Sequence, residues 1–236
     1  MNDITNEVIQ RKERIRDILL KLHRGEDLKS VQADFSAMAE GITSQDIAEA
    51  EQLLINEGVP VSDIQSLCDL HVAAVRASLE KQKPADPTDQ HPIQRYQQTN
   101  QAIAGLLTEA QALLQSAAAN DSHADGEAFW SKVQELKLVD KHYRHKENIL
   151  FPYLERVGFM GPSQVMWGVH TDIRRQYKAL LAHQAGQVPA DIVPLSEALD
   201  TFAQSVHSMI YKEEKILFPA ALEKLSPHDW DEIKSQ

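Results

Sequence analysis

The sequence predicts an all-α protein with a small N-terminal helical bundle and a C-terminal up-down four-helix bundle. Apolar residues recur at spacings of three, four and seven along most of the 236-residue chain, which is the period of an amphipathic helix. No useful length of chain alternates apolar and polar residues, so no strand is expected. A mostly polar stretch with two prolines at 83–90 predicts a linker between domains at 1–82 and 91–236.

Glycines and small polar residues predict where the helices of the N-terminal domain begin and end. Gly25 follows the first apolar helical pattern and Gly58 follows the third, and glycine is favoured just after a helix because it tolerates the left-handed conformation. Thr43 or Ser44 precedes the third pattern, and either residue can cap its first turn. The region therefore predicts four helices that pack as one small unit.

Four longer helices are predicted for the C-terminal domain. Pro92 suits the first helical position, because proline lacks an amide hydrogen that this position does not need. The predicted helices cover about residues 92–118, 127–156, 162–183 and 195–222, and a last turn follows at 226–233.

The composition excludes several classes of function. The formal net charge is −11 and the basic residues are scattered, so no nucleic-acid partner is expected. Cys68 is the single cysteine, which excludes an intramolecular disulfide and, with a polar N-terminus, predicts a cytoplasmic location. No run approaches ~18 consecutive apolar residues, so no membrane partner is expected. The chain has no phosphate loop, dinucleotide fingerprint or nucleophile–base constellation, so catalysis is a third possible function and has the least support.

Two segments of the C-terminal domain, 146–152 and 213–219, nearly repeat each other. Both carry glutamates and end in Leu-Phe-Pro, which predicts an aromatic plug before a proline kink or stop. In the second segment Glu213 continues an apolar helical seam. A carboxylate on a buried seam is costly unless it is paired or bound to a cation.

Histidines and carboxylates on all four predicted helices of this domain are candidate metal ligands, as in bundles that hold metals in their cores. His142 and Glu147 are five residues apart, or about 140° on a regular helix, so they converge only where the helix is locally distorted. Imidazole with carboxylate suits iron, with zinc or manganese as alternatives. The candidates are His91, His142, Glu147, His170, His207, Glu213 and Glu214.

The C-terminal domain resembles the hemerythrin-like, or HHE, cation-binding family. The resemblance rests on 142–152, 165–170 and 211–219. The N-terminal domain, through Leu22-His23-Arg24-Gly25 and Leu67-Cys68-Asp69-Leu70-His71, resembles the helical domain of unknown function that precedes one branch of that family.

This resemblance implies a four-helix bundle with a non-haem iron site, commonly two irons bridged by carboxylates. It implies a metal ion as partner, with O2 or NO as a small-molecule ligand, and a role in oxygen binding, oxygen or iron sensing, or repair of nitrosative damage. The N-terminal domain would contact a protein partner or a second copy of the chain. The ligands carried over by position are His91, His142, His170 and Glu213 or Glu214, joined by Glu147 and His207.

The chain departs from the family pattern four residues after three of its histidines. The family normally has an acid at these positions, or a second histidine in the oxygen carriers. The residues four positions after His142, His170 and His207 are Lys146, Arg174 and Tyr211. A mononuclear site, a different metal and a lost site therefore all stay open.

A second hypothesis needs no metal. Lys146 and Glu213 occupy equivalent seam positions and would pair as a buried ion bridge in a helical signalling or interaction module. In the N-terminal domain Cys68 and His71 share one helix face, and with His23 they could bind a metal or haem. A buried thiol beside a hydrogen-bonded histidine is the preferred interpretation of that pair.

Overall fold

The protein is all-α, as the sequence predicts. The predicted linker at 83–90 falls outside the described residues, so the predicted domains at 1–82 and 91–236 stay a prediction. Where the chain is described it contains no strand, and none of its helices is long and apolar enough to span a membrane. The computed structural model describes residues 2–38, 43–81, 91–120, 122–183 and 192–236.

Helices account for most of the described chain. The N-terminal region contains α1 (Asn2–His23), α2 (Leu28–Ala37), α3 (Ser44–Asn56) and α4 (Val61–Leu79). The remainder contains α5 (Pro92–Asn120), α6 (His123–Glu135), α7 (Leu138–His145), α8 (Phe151–Arg156), α9 (Gly161–Leu181), α10 (Val193–Lys212), α11 (Phe218–Lys224) and α12 (Pro227–Lys234). Two π-helical turns interrupt this series: π1 (Lys146–Leu150) lies between α7 and α8, and π2 (Glu213–Leu217) lies between α10 and α11.

The helix boundaries that the sequence predicts at Gly25, Thr43 and Gly58 are confirmed. Gly25 has a φ of 81° and Gly58 a φ of 94°, the left-handed conformation in which a glycine ends a helix. Thr43 caps α3, and its side chain and the Asp46 side chain each accept a hydrogen bond from the other's backbone N–H.

The two predicted helices that carry the repeat are not continuous α-helices. The one predicted at 127–156 is divided into α6, α7, π1 and α8, and the one at 195–222 into α10, π2 and α11. Each π turn ends one residue before a Phe-Pro pair, Pro152 in one case and Pro219 in the other. Proline cannot donate the i→i−4 hydrogen bond and its ring clashes with that carbonyl, so the preceding turn widens.

The chain forms two compact units. The first contains Met1–Asp86, Phe151–Gly168 and Tyr211–Gln236, and the second contains Pro87–Leu150 and Val169–Ile210.

In the first unit, α1 packs against α2, α3 and α4, and α3 also packs against π2 and α11. The apolar faces of α1 to α4 meet in a buried core, in agreement with the predicted periodicity. Its fully buried aliphatic side chains include Ile15, Leu19, Val31, Ile47, Leu54, Ile64 and Leu79.

In the second unit, α5 packs along α6 and also contacts α7. Aromatic rings fill much of this core, because Phe129, Tyr143 and Phe202 are almost completely shielded from water. This packing fixes the inward face of α7, which leads directly into π1.

Glu49 ties three parts of the first unit together. Its carboxylate pairs with Lys12 of α1, with Lys224 of α11 at 2.7 Å, and accepts a hydrogen bond from Gln45 at 2.7 Å. Burial works to raise the pKa of Glu49, but the hydrogen bonds from Gln45, Lys12 and Lys224 outweigh it and lower the pKa to about 2.

We therefore predict a pH-dependent cost for Glu49→Gln. The ionised carboxylate stabilises the fold above its unfolded pKa of 4.5, and this contribution is lost as the pH falls toward the folded pKa of about 2. Denaturant unfolding should show a loss of about 1–2 kcal/mol at pH 7 that shrinks steadily at pH 4 and pH 3.

The matched control is Glu57→Gln, since Glu57 pairs with Arg16 but its side chain is 44% exposed. Its cost should stay under about 0.5 kcal/mol. A Glu49→Gln cost that is as large at pH 3 as at pH 7 would contradict this account.

Candidate metal centre

Glu147 connects three helical segments of the second unit. Its Oε1 lies 2.8 Å from Nδ1 of His170 on α9. Both of its oxygens also accept hydrogen bonds from Arg174, at 3.0 Å and 2.8 Å. The Arg174 Nε donates to Asp140 of α7 at 2.6 Å, so one network links α7, π1 and α9.

Glu147 lies in a local distortion of its helix. π1 begins at Lys146, directly after α7, and in a π-helix the hydrogen bonds run from residue i to i+5. His142 precedes this distortion, in the regular turns of α7. The Glu147 side chain is only 11% exposed.

The charge on Glu147 is stabilised in this setting. Burial works to raise the pKa of Glu147, but hydrogen bonds from His170 and Arg174 and the positive charge of Arg174 lower it to about 2. The pKa of Arg174 is raised in turn, because its bonds to Glu147 and Asp140 outweigh the opposing effect of burial. An ionised carboxylate and a guanidinium therefore lie side by side at neutral pH.

His170 is held in a fixed orientation. It is fully buried, and its ring stacks on the ring of Tyr143 with centroids 3.9 Å apart and planes 10° from parallel. Ionised Glu147 accepts a hydrogen bond from Nδ1, which favours the tautomer whose lone pair is on Nε2. A carboxylate behind a histidine in this way is the usual support of a metal-binding imidazole.

Lys146 and His142 share the inward face before this network. Lys146 is fully buried, and its Nζ lies 4.7 Å from the centroid of the Tyr143 ring, a cation–π distance. His142 is also buried, and its ring meets Tyr96 edge-on with centroids 5.7 Å apart. The Tyr96 hydroxyl lies 2.8 Å from Nδ1 of the exposed His145.

The other predicted ligands have varied surroundings. The His91 Nδ1 accepts a hydrogen bond from the Ile93 amide at 3.2 Å, just before α5. His207 is exposed on α10. In the first unit, Glu213 is fully buried and Glu214 half-buried in π2.

The structure does not test whether these seven residues bind a metal, and their assignment stays a prediction. The same holds for the predicted pair of Lys146 and Glu213, which belong to different units and are each fully buried.

The side chains of the second unit meet only some of the requirements of a metal-binding site. Buried neutral imidazoles suit iron, zinc or manganese, and the Glu147–His170 bond prepares one of them. The oxygens of Glu147 are already occupied by Arg174 and His170, which does not suit a carboxylate that bridges two irons. Across the described ranges, no three His, Cys, Asp or Glu side chains are grouped so that they could hold a metal ion.

Sequence reasoning missed the roles of Asp140 and Arg174. Arg174 stands out in the sequence only as a departure from the family pattern, and Asp140 carries no local signal, because its partner is 34 residues away. The stacked ring of Tyr143 was equally hidden, since only the packing of α7 against α9 brings it to His170.

Comparison with known families gives two matches. Residues 91–221 match the family described as Hemerythrin HHE cation binding domain. Residues 15–81 match a family described as of unknown function, DUF438. A comparison with curated proteins found no match.

We predict that Arg174→Ala destabilises the fold by about 2 kcal/mol, because it leaves the Glu147 carboxylate mostly buried with its main cationic partner removed. The free energy of unfolding from urea denaturation measures this loss. The neighbouring Arg175→Ala is the control: its side chain is 78% exposed and it should cost less than about 0.5 kcal/mol. Equal costs for the two variants would show that the Glu147 network contributes no stability.

Proposed function

This chain belongs to the hemerythrin HHE cation-binding family, and we propose that it binds non-haem iron in order to sense or handle oxygen, nitric oxide or iron stress. The observation that carries the proposal is His170, a fully buried histidine whose Nδ1 is held by the carboxylate of Glu147. Burying an imidazole with this support is typical of a ligand to a metal ion.

His142 and His170 are the proposed ligands from the second unit, because both are buried and neither is on a solvated face. Glu147 acts as the positioning carboxylate of His170, and Arg174 holds Glu147 in place. A bound iron ion would supply open coordination positions for a small ligand such as O2 or NO.

The remaining members of the predicted set are further candidates within the same proposal, and zinc and manganese are the alternative metals. They are His91, His207, Glu213 and Glu214.

Two positive side chains act against high cation affinity. Lys146 is buried one helical turn after His142, and Arg174 neutralises Glu147. We therefore expect a site with mostly neutral nitrogen ligands and a lower affinity than one built with several carboxylates.

The positively charged side chains of Lys146 and Arg174 also support a second candidate function, a metal-free signalling or interaction module. Here the Glu147–Arg174–Asp140 network would be purely structural and would hold α7, π1 and α9 together. The N-terminal helices would then dock a protein partner or a second copy of the chain. A cytoplasmic location fits both candidates, since the single cysteine Cys68 needs no oxidising compartment.

Metal analysis of the full-length protein separates the two candidates. Protein expressed in iron-supplemented medium is analysed for bound metal, and its absorption spectrum is recorded in air and after reduction. About two irons per chain with near-ultraviolet oxo-bridge bands would indicate a di-iron site. One metal per chain would indicate a site based on the histidines. Metal-free protein whose melting temperature does not respond to added Fe²⁺, Zn²⁺ or Mn²⁺ supports the interaction module.

We predict that the double variant His142→Ala/His170→Ala loses the metal equivalent that these two histidines hold in the wild-type protein. The control is His228→Ala, because the His228 side chain is 82% exposed on α12. Circular dichroism checks that the helices persist in each variant. Unchanged metal content in the double variant would overturn the assignment of these two ligands.

A further inference from the structure

Two neighbouring histidines, one fully buried and one half-buried, lie in the first unit, remote in sequence from the HHE residues. His23 ends α1, and His71 lies in the middle of α4. Their ring centroids are 5.1 Å apart, and the ring planes are inclined by 52°. His71 is fully shielded from water, and Glu51 of α3, which is also buried, has its Oε1 2.9 Å from the His71 Nδ1.

Both histidines leave the same kind of atom unsatisfied. The Nε2 of His23 and the Nε2 of His71 are each inaccessible to water and have no hydrogen-bond partner in the part of the chain that the structure describes. A buried polar atom without a partner costs free energy and is rare in folded proteins. Because the two atoms lie on adjacent rings, one shared ligand would satisfy both.

The hydrogen bond between Glu51 and His71 favours a cation as that ligand. The Glu51 carboxylate accepts a hydrogen bond from Nδ1 of His71, and the tautomer with its proton on Nδ1 has its lone pair on Nε2. Neutral imidazole is the form that binds a metal, and a carboxylate on the other ring nitrogen is its usual support.

The separation of the rings suits one shared ion. Two imidazoles bound through Nε2 to a tetrahedral Zn²⁺, with Zn–N bonds of about 2.0 Å, would have their centroids roughly 5 Å apart. The observed separation is 5.1 Å.

We propose that His23 and His71 bind one first-row divalent cation through Nε2, with Glu51 as the positioning residue behind His71. The two imidazoles supply two of the four ligands of a tetrahedral ion, and water or a small ligand would complete its coordination. Zn²⁺ is the reference ion for the test, because it binds imidazole without thiolate and has no redox chemistry.

Cys68 is not a ligand in this proposal. It lies one turn before His71 on α4, and its buried thiol is already in a hydrogen bond with Lys212. The proposal also stands apart from the HHE residues, because His23, Glu51 and His71 all lie in the region 15–81 that matches the family of unknown function.

The test is a titration of metal-free, full-length protein with Co²⁺ followed by visible absorption, and with Zn²⁺ followed by calorimetry. Wild type should bind one equivalent more than His71→Ala and one more than His23→Ala. Glu51→Gln should keep that equivalent but bind it 10- to 100-fold more weakly, as expected when the support of a ligating histidine is removed. His228→Ala, a substitution on an 82% exposed side chain, should match wild type.

Two further comparisons keep the result decisive. His142→Ala/His170→Ala should retain the equivalent that His71→Ala loses, which separates this site from the HHE proposal. His23 is only half-buried, so His23→Ala provides a variant whose fold is easier to preserve if His71→Ala unfolds. Folded His23→Ala and Glu51→Gln that bind as many ions as wild type, with the same affinity, would overturn the proposal.

Discussion

The missing amide hydrogen of two prolines is the constraint on which the polar architecture of this protein depends. Pro152 and Pro219 each follow a segment that would otherwise continue as a regular α-helix, and each is preceded by a π turn. The wide turn changes the phase of the helix that follows it. Glu147 lies in one of these turns, where its carboxylate reaches His170 and Arg174.

A charged side chain is fully buried at the start of each π turn. Lys146 and Glu213 are the first residues of their π turns, and both are fully buried. Charges in such positions must be satisfied locally, because the cost of desolvation is large. The Glu147 carboxylate is satisfied by the guanidinium of Arg174 and by the imidazole of His170.

This solution bears on the proposed metal site of this chain. Arg174 neutralises a carboxylate that could otherwise face a metal, and Asp140 fixes Arg174. The cluster therefore favours histidine nitrogen over carboxylate oxygen as the available donor. The first unit has a similar arrangement on a smaller scale, where Glu51 supports His71 beside His23. In both units a buried carboxylate orients a buried imidazole.

The sequence by itself determined the helical class, the approximate positions of most helices and the family. Periodicity and helix-ending glycines are local signals, and the repeated Leu-Phe-Pro segments are visible without a structure. The sequence also indicated His142, Glu147 and His170 as candidate metal ligands, the first two of which converge only where the helix is locally distorted. The π turns themselves were not predicted, although the prolines that follow them are visible in the sequence.

Only the tertiary structure decided which polar groups are partners. Asp140 and Arg174 are 34 residues apart, and Glu51 and His71 are 20 apart, so no spacing rule on one helix connects them. Their pairing depends on which helices pack together and on the rotation of each helix about its axis. A charge or an imidazole in the sequence is only a candidate, because its chemistry is set by partners that the packing of distant segments brings within hydrogen-bonding distance.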